Sequence, residues 1–378
     1  MVIKGKVVHI LPDRKFITQI DKFRGIGIEN KVVYWGEGGA LPHPYHENAV
    51  YLRPCRENIP VAVSACSGAS IVVVYSLLPT IVLKLPKETT VIWRFFGYEI
   101  YERKLKLVLS RKTYRIYRIS SRKSRYSVYS IMKRAALVTL PMASAFNRSL
   151  KRVNYFMGVL YEEYQYIESL GFHLPPFLQS PIHLPGIVYK KFNKKDVLLL
   201  GNSRTFFNNH IDILDILIAL KRDHGFKIRV PFSYGEDSVY TRAVKEVGSS
   251  IPNLEFIEEF VSHSEYQKIY QDASAVIINS FRQMALGNIT IALRTGTKIY
   301  LSKNNVIFHW LKNNRFKVFS TDVDLPLDIR NGNLRLEAED AEYNFEQLLA
   351  LMRKYTIHDF RDRVIDILGN ASKRRRHE

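Results

Sequence analysis

The C-terminal half of the chain alternates short, nearly uncharged β-branched runs with amphipathic segments, and this rhythm limits the fold more than any other feature. "DVLLLGNS" (196–203) predicts a strand, followed by a helix from about Asn209 to Arg222. "FKIRVPFSYG" (226–235), "LEFIEEF", "SAVIINS", "KIYLS" and "FKVFS" extend the strand series. Between them, "DSVYTRAVKEVG", "SEYQKIYQDA", a segment opening near Gly287 and "NVIFHWLKNN" carry helical patterning. Continuous apolar strands suit a sheet buried on both faces, and alternation with helices implies parallel pairing through crossovers.

The N-terminal half repeats the theme in "KVVHIL", "KVVYWG", "SIVVVYSL" and "TVIWRFFG", with "ALVTLP" as a candidate fifth strand. A chain of 378 residues accommodates two domains. The proline-rich "GFHLPPFLQSPIHLPG" (171–186) reads as a linker. The expected architecture is therefore α/β, with two Rossmann-like doubly wound domains facing a cleft. The first is expected at 1–185 and the second at 186–340, with C-terminal helices and a basic tail at 341–378.

Ligands of such sheets bind beyond the carboxyl ends of the strands. Three loops there carry polar residues. Gly201, Asn202 and Ser203 follow the first C-terminal strand, and Asn209 and His210 open the next helix. Glycine admits close backbone approach and the side chains add donors, although a strand followed by Gly-Asn-Ser is also an ordinary turn. Ser233, Tyr234 and Gly235 follow the second strand, as a tight turn or as groups for a base, sugar or phosphate. Arg282 and Gln283 precede Gly287 and Asn288 at a helix entrance, where unpaired N–H groups and a partial positive charge favour an anion. There Arg282 would add paired hydrogen bonds to phosphate oxygens, and Asn288 would either cap the helix or meet the ligand.

Charge is distributed unevenly. Of a net +20, fifteen Lys and Arg fall between Arg103 and Tyr161, a span without Asp or Glu. This basic patch, at 103–152, includes Arg111, Lys112, Arg115, Arg118, Arg122 and Lys123, interleaved with Tyr, Leu and Ile. It implies an anionic partner (phospholipid, a pyrophosphate-linked substrate or nucleic acid) or a solvated helix face. No recognisable DNA- or RNA-binding motif accompanies it, so no nucleic acid partner is expected. The uncharged run at 61–83 is broken by serines, Gly68 and Pro79, which predicts a buried strand and a short helix in place of a membrane span. Cys55 and Cys66 make neither a disulfide framework nor a metal-ligand spacing, the pattern expected of a reducing cytoplasm. "DVDLPLD" (322–328) contains an Asp-x-Asp spacing but reads as a solvated turn, and neither metal nor cofactor is expected.

"LLLGNSRTFFNNH", "VPFSYGE" and "FRQMALGNITIALRTGTKIYL", with "VVHILPDRKFI" and "VIWRFFGYEIY" upstream, resemble one bacterial family over most of residues 7–320. It is the TDP-N-acetylfucosamine:lipid II N-acetylfucosaminyltransferases, also called 4-alpha-L-fucosyltransferases. The resemblance implies a GT-B glycosyltransferase with its nucleotide-sugar donor, a TDP-sugar, in the C-terminal domain. The donor residues it implies are Gly201, Asn202, Ser203, Asn209, His210, Ser233, Tyr234, Gly235, Arg282, Gln283, Gly287 and Asn288. The acceptor it implies is a lipid-pyrophosphate-linked saccharide, met at the cytoplasmic face of the bacterial inner membrane by a peripheral enzyme. The chain departs from the family pattern at Glu99, where Asp is usual, at Met284, and in "RTFF" after Gly-Asn-Ser.

Stabilising a leaving pyrophosphate without a metal calls for helix dipoles, backbone N–H groups and a cation such as Arg282. An inverting reaction would also need a base, for which Glu99 and then Asp13 are the candidates. A carboxylate at a strand end is equally suited to capping a turn.

Overall fold

A computed structural model describes residues 5–25, 28–37, 41–47, 49–123, 140–184, 186–220 and 225–374. They group in two units: Met1–Glu99 with Met132–His183 and Met352–Glu378, and Ile100–Ile131 with Leu184–Leu351. This division differs from the contiguous one expected from the sequence. The basic segment after Glu99 groups with the second unit, and the last helix returns to the first.

The first unit holds a seven-stranded parallel sheet in the order β3-β2-β1-β4-β5-β6-β7. Its strands are β1 Lys6–Leu11, β2 Glu29–Trp35, β3 Ala49–Leu52, β4 Ile71–Val74, β5 Thr90–Arg94, β6 Tyr155–Gly158 and β7 Phe177–Gln179. β4, "IVVV", is buried at every position, as a central strand covered on both faces must be. The 61–83 run forms helix Ile59–Ala65, then β4, then helix Pro79–Val82, as its serines and Pro79 predict. No described helix is long and apolar enough to cross a membrane. β1 and β4 are neighbours with sequence-adjacent strands leading away on either side, so the switch point of this sheet lies between them. One core gathers Phe16, Ile17, Ile20 and Phe23 of the 3-10 helix Arg14–Phe23 with Val7, Val73 and Ile92 of the sheet. Phe360, Val364, Ile367 and Leu368 of helix Ile357–Arg374 complete it.

The second unit holds a six-stranded parallel sheet in the order β10-β9-β8-β11-β12-β13. The strands are β8 Lys195–Leu200, β9 Lys227–Pro231, β10 Leu254–Ile257, β11 Ala273–Ile278, β12 Lys298–Leu301 and β13 Phe319–Ser320. Each corresponds to an apolar run in the sequence. The intervening helices are His210–Ala219, Val239–Gly248, His263–Asp272, Leu286–Thr295 and Val306–Asn313. Ser238 and Ser262 each start a helix with a reciprocal capping box, which satisfies two backbone donors apiece. The switch point lies between β8 and β11, and the loops after those two strands flank it.

Three sequence-based assignments need correction. "DVDLPLD" is a turn only at Asp322 and Val323: from Asp324 it belongs to helix Asp324–Asn331, with Leu325 and Ile329 buried. Asp324 accepts from Ser320, Asp322 pairs with Lys303 and Asp328 with Lys298, so the acidic spacing serves local structure. "ALVTLP" lies partly outside the described residues, and its Leu140 and Pro141 open helix Leu140–Arg152. The expected linker contains β7, whose three residues extend the sheet beyond β6.

The basic helix Arg111–Lys123 joins the second unit because its inner face is apolar. Thr113 is fully buried, Ile116 packs on the core of that unit, and Tyr117 meets Phe206 at 5.2 Å. Arg111, Lys112, Arg115 and Arg118 are exposed on the outer face, and Lys112 pairs with Asp215. Arg122 and Lys123 lie in the last turn of this helix, and their side chains fall outside the described residues.

Candidate functional site

The candidate site occupies the carboxyl end of the second unit's sheet, where the loops after β8, β9 and β11 are tied together by side chains. Gly201 leaves β8 with φ +74°, and its N–H donates to the carbonyl of Ile277 at 2.8 Å. A Cβ at Gly201 would lie 2.6 Å from His210 Nε2 and 3.2 Å from Asn208 Oδ1. Glycine is therefore required twice, for its backbone angle and for the space.

His210 is wholly buried, and its imidazole is kept neutral by burial, with its pKa pushed down to about 3. Tyr240 Oη accepts from the His210 backbone N–H at 2.9 Å and lies 2.9 Å from Nδ1. Nε2 has no hydrogen-bond partner among the described residues, nor does Oδ1 of the buried Asn208. Asn208 is oriented by its Nδ2, which donates to the Ser203 carbonyl at 2.8 Å and to Ser203 Oγ at 3.1 Å.

Asn209 adopts the left-handed conformation, φ 47°, which Asn tolerates better than most residues. Its Oδ1 accepts from the Ser110 N–H at 2.9 Å and its Nδ2 donates to the Asn279 carbonyl at 3.1 Å. Both Asn209 and His210 are thus engaged in holding the loop.

Arg204, which sequence reasoning treated only as part of a departure, joins the β8 and β9 loops. Its backbone N–H donates to the Tyr234 carbonyl, its guanidinium to the Ser233 carbonyl at 3.1 Å and to Asp237 at 2.6 Å. Gly235, at φ +119°, leaves room for it, since a Cβ there would lie 2.8 Å from Arg204 Cγ. Tyr234 is exposed beside this bridge, and Asn202 is half-buried at its start.

The β11 loop brings the cation. Arg282 is half-buried, with its guanidinium carbon 4.4 Å from the ring centre of Phe207 and 5.9 Å from that of Tyr101. Its Nη1 donates to the Gln283 carbonyl at 3.2 Å, and its N–H to Ser280 Oγ at 3.3 Å. Phe207 belongs to "RTFF", so this departure supplies the platform on which the arginine rests.

Helix Leu286–Thr295 starts after Ala285, which sits at φ 62° and gives no side-chain cap. Its first N–H groups therefore receive no side-chain acceptor from the capping residue, and Gly287 is exposed with open space where a Cβ would stand. Asn288 neither caps the helix nor faces this opening. Its Nδ2 donates to the hydroxyls of Tyr266 at 2.5 Å and Tyr270 at 2.8 Å on helix His263–Asp272. The arrangement thus presents Arg282, an uncapped helix start, Gln283, Asn202 and an exposed Tyr234 at one end of one sheet. Such a set is chemically suited to an anion at the helix start and a polar or aromatic group beside it.

The two carboxylate candidates lie in the first unit. Glu99, in the one-turn helix Tyr98–Tyr101 after β5, accepts from Trp93 Nε1 at 3.1 Å on Oε1; the residue is half-buried and its Oε2 is buried. Asp13, after β1, caps the 3-10 helix by accepting from the Lys15 N–H at 3.0 Å and pairs with Lys15 Nζ at 2.8 Å. Burial raises its pKa, but the Lys15 hydrogen bonds and charge outweigh that and hold it below the usual value. Asp13 is therefore a poorly basic cap.

No family model matches the chain. Among solved structures, HepE from Anabaena in complex with UDP is similar over 97% of this chain and 100% of that one, with TM-score 0.65 and 8% identity. A glycosyltransferase from Rickettsia africae matches over 98% and 99%, with TM-score 0.60 and 12% identity. A UDP-forming alpha,alpha-trehalose-phosphate synthase from Burkholderia xenovorans matches over 98% and 99%, at TM-score 0.60 and 8% identity. At such identities the likeness is one of fold, and two Rossmann-like parallel sheets with glycosyltransferase neighbours make it the GT-B fold.

Proposed function

We propose that the protein is a glycosyltransferase that takes its sugar from a nucleotide diphosphate donor bound at the second unit's sheet. The observation that carries this reading is Arg282 stacked on Phe207 beside the uncapped start of helix Leu286–Thr295. Charge that grows on a departing pyrophosphate is stabilised by fixed N–H dipoles and a cation already in place. Tyr234, exposed, and Asn202, half-buried, are the groups proposed to meet the base or sugar.

The sequence resemblance favours a TDP-linked deoxy-amino sugar resembling N-acetylfucosamine, and an acceptor saccharide on a polyprenyl pyrophosphate. The UDP in the HepE structure favours a second reading, a UDP-sugar donor on the same loops. Glu99, which follows β5 and is oriented by Trp93 Nε1, is the proposed base for the acceptor hydroxyl. The exposed arginines of helix Arg111–Lys123 are proposed to hold the enzyme on the anionic cytoplasmic face of the bacterial inner membrane.

Thermal unfolding with TDP, UDP, GDP and ADP tests the reading. A ligand at about a hundred times its Kd adds roughly 2.7 kcal/mol to the unit that binds it. A shift with TDP supports the resemblance, and a shift with UDP supports the second reading. No shift with any of the four in folded protein overturns the nucleotide site.

A further inference from the structure

At the carboxyl end of the first unit's sheet, two cations stand together with no carboxylate in ion-pair contact with either among the described residues. Lys22 comes from the 3-10 helix after β1, and Arg94 is the last residue of β5. Lys22 Nζ donates to Gln19 Oε1 at 2.8 Å and to Ser180 Oγ at 2.9 Å, which leaves one N–H. Arg94 is 6% exposed, donates from Nη1 to the Met157 carbonyl at 3.2 Å and has no acceptor at Nε. Burial, then the charge of Arg94, pushes the Lys22 pKa well down. Glu163 and Glu99 attract Arg94 electrostatically, but burial outweighs them and lowers its pKa to about 10.

Taking a charge out of water costs several kcal/mol unless a partner compensates it, and two neighbouring cations add repulsion. A chain selected for stability alone would place an apolar side chain at the end of a buried strand. The cluster also offers donors from three separate elements: the third N–H of Lys22, Nε–H of Arg94 and the hydroxyl proton of Ser180, whose oxygen already accepts from Lys22. Arg94 Nη1 and the Ser180 N–H donate to the adjacent carbonyls of Met157 and Gly158 on β6, which brings these donors to one end of the sheet. Such donors, with a guanidinium among them, match a tetrahedral oxyanion. Phe16 and Phe96 stack at 3.9 Å, and Phe96 also lies 5.0 Å from the Arg94 guanidinium carbon, so one wall is aromatic.

We propose that Lys22, Arg94 and Ser180 form a binding site for a phosphate or diphosphate group in the first unit. The site does not depend on the identity of the donor nucleotide, nor on the glycosyltransferase reading. Its ligand is a phosphorylated compound whose remaining body rests on the Phe16–Phe96 wall.

Site-resolved acetylation of the full-length protein tests it. Acetic anhydride is applied near neutral pH with and without inorganic pyrophosphate, and each lysine is followed by peptide mass spectrometry. Lys22 is expected to react several-fold more slowly with pyrophosphate present, while exposed Lys84 keeps its rate. Arg94→Met is expected to abolish the protection and Arg94→Lys to retain part of it. Farnesyl diphosphate protecting at lower concentration than pyrophosphate would assign the site to a lipid-linked diphosphate. Equal protection would assign it to the phosphate group of a soluble compound. Acetylation of Lys22 unaltered by any of these anions in the unsubstituted protein overturns the proposal, as does full protection in Arg94→Met. Neither of those failures touches the nucleotide test, which reads the other unit.

Discussion

Asn209 and Asn279 exchange amide–carbonyl hydrogen bonds across the β8–β11 switch point: each Nδ2 donates to the other's backbone carbonyl, at 3.1 and 3.2 Å. Thr321 Oγ1 donates to Asn279 Oδ1 at 3.2 Å, and the Ser110 N–H to Asn209 Oδ1, so four chain segments meet on two amides. Both asparagines are buried. Truncating Asn279 to Ala leaves buried groups unsatisfied, and a loss of about 1–3 kcal/mol is expected in urea unfolding. Asn209→Ala should cost more than Asn209→Gly, because only the former adds strain at φ 47°.

Arg282 and Gly287 separate binding from stability. Arg282→Gln should weaken nucleotide diphosphate binding by about 1.5–3 kcal/mol, roughly ten- to a hundredfold in Kd by calorimetry. Gly287→Ala meets no neighbour and gains helix propensity, so the protein should be unchanged or more stable by roughly 0.5–1 kcal/mol. Nucleotide affinity should still fall, because the methyl stands where a phosphate would approach the helix start.

Glu99 and Asp13 are distinguished by what each now holds. Glu99→Gln keeps an acceptor for Trp93 and removes the proposed base, so kcat should drop by about 10²–10⁴ with folding intact. Asp13→Asn can still cap the 3-10 helix, and kcat should change little. Asp13→Ala should cost about 0.5–2 kcal/mol in stability through the lost cap. Equal kcat in wild type and Glu99→Gln would remove Glu99 as the base.

Among the described residues each unit holds a buried histidine kept neutral by burial, His9 and His210, and both make stability fall with acid. His9 accepts from Tyr75 Oη at Nδ1, 3.2 Å away, and donates from Nε2 to Asn30 Oδ1 at 2.8 Å. Burial lowers its pKa to about 4 and that of His210 to about 3, against 6.5 for an exposed imidazole. Below about pH 6.5 the unfolded chain binds more protons than the folded one. Stability is therefore full above that pH and declines down to the folded values, by on the order of a few kcal/mol per histidine. Urea midpoints at about pH 7 and pH 5 should show the decline, and His9→Gln should flatten it for the first unit. A flat profile in the unsubstituted protein would contradict the buried neutral state.

The basic helix offers a prediction about the membrane. Replacing Arg111, Lys112, Arg115 and Arg118 with Gln should release the protein from anionic vesicles, each charge contributing about 1 kcal/mol. Lys112 should contribute least, since Asp215 already engages it. Nucleotide-induced unfolding shifts should remain. Unaltered vesicle sedimentation would remove the membrane reading.

The sheet of the second unit was legible because its strands are short apolar runs, the central ones buried, and periodicity needs no distant information. β3, β6 and β7 were not legible: "AVYL", "YFMG" and "FLQ" are short, and two of them occupy the half of the sheet that follows the basic segment. The end of the sheet where a ligand was to be sought was also readable, since ligands of doubly wound sheets bind beyond the carboxyl ends of the strands. The roles of its residues were less so. Asn288 looked like a cap or a ligand contact until Tyr266 and Tyr270 were placed beside it. Phe207 looked like a departure until Arg282 was placed on its face. Both depend on partners far away in sequence, which no local pattern encodes.

The return of helix Ile357–Arg374 to the first unit has a consequence for biosynthesis. A nascent chain is made from its N-terminus, yet Phe360, Val364, Ile367 and Leu368 fill the same core as Val7 and Phe23. Ribosomal synthesis delivers every strand of the second unit before that helix. The first unit must wait, with the floor of its core uncovered, while the second is already able to close. A chaperone that shields apolar surface during this interval should therefore raise the yield of native protein. Shortening the chain before Phe360 should damage the unit made first, not the one made last.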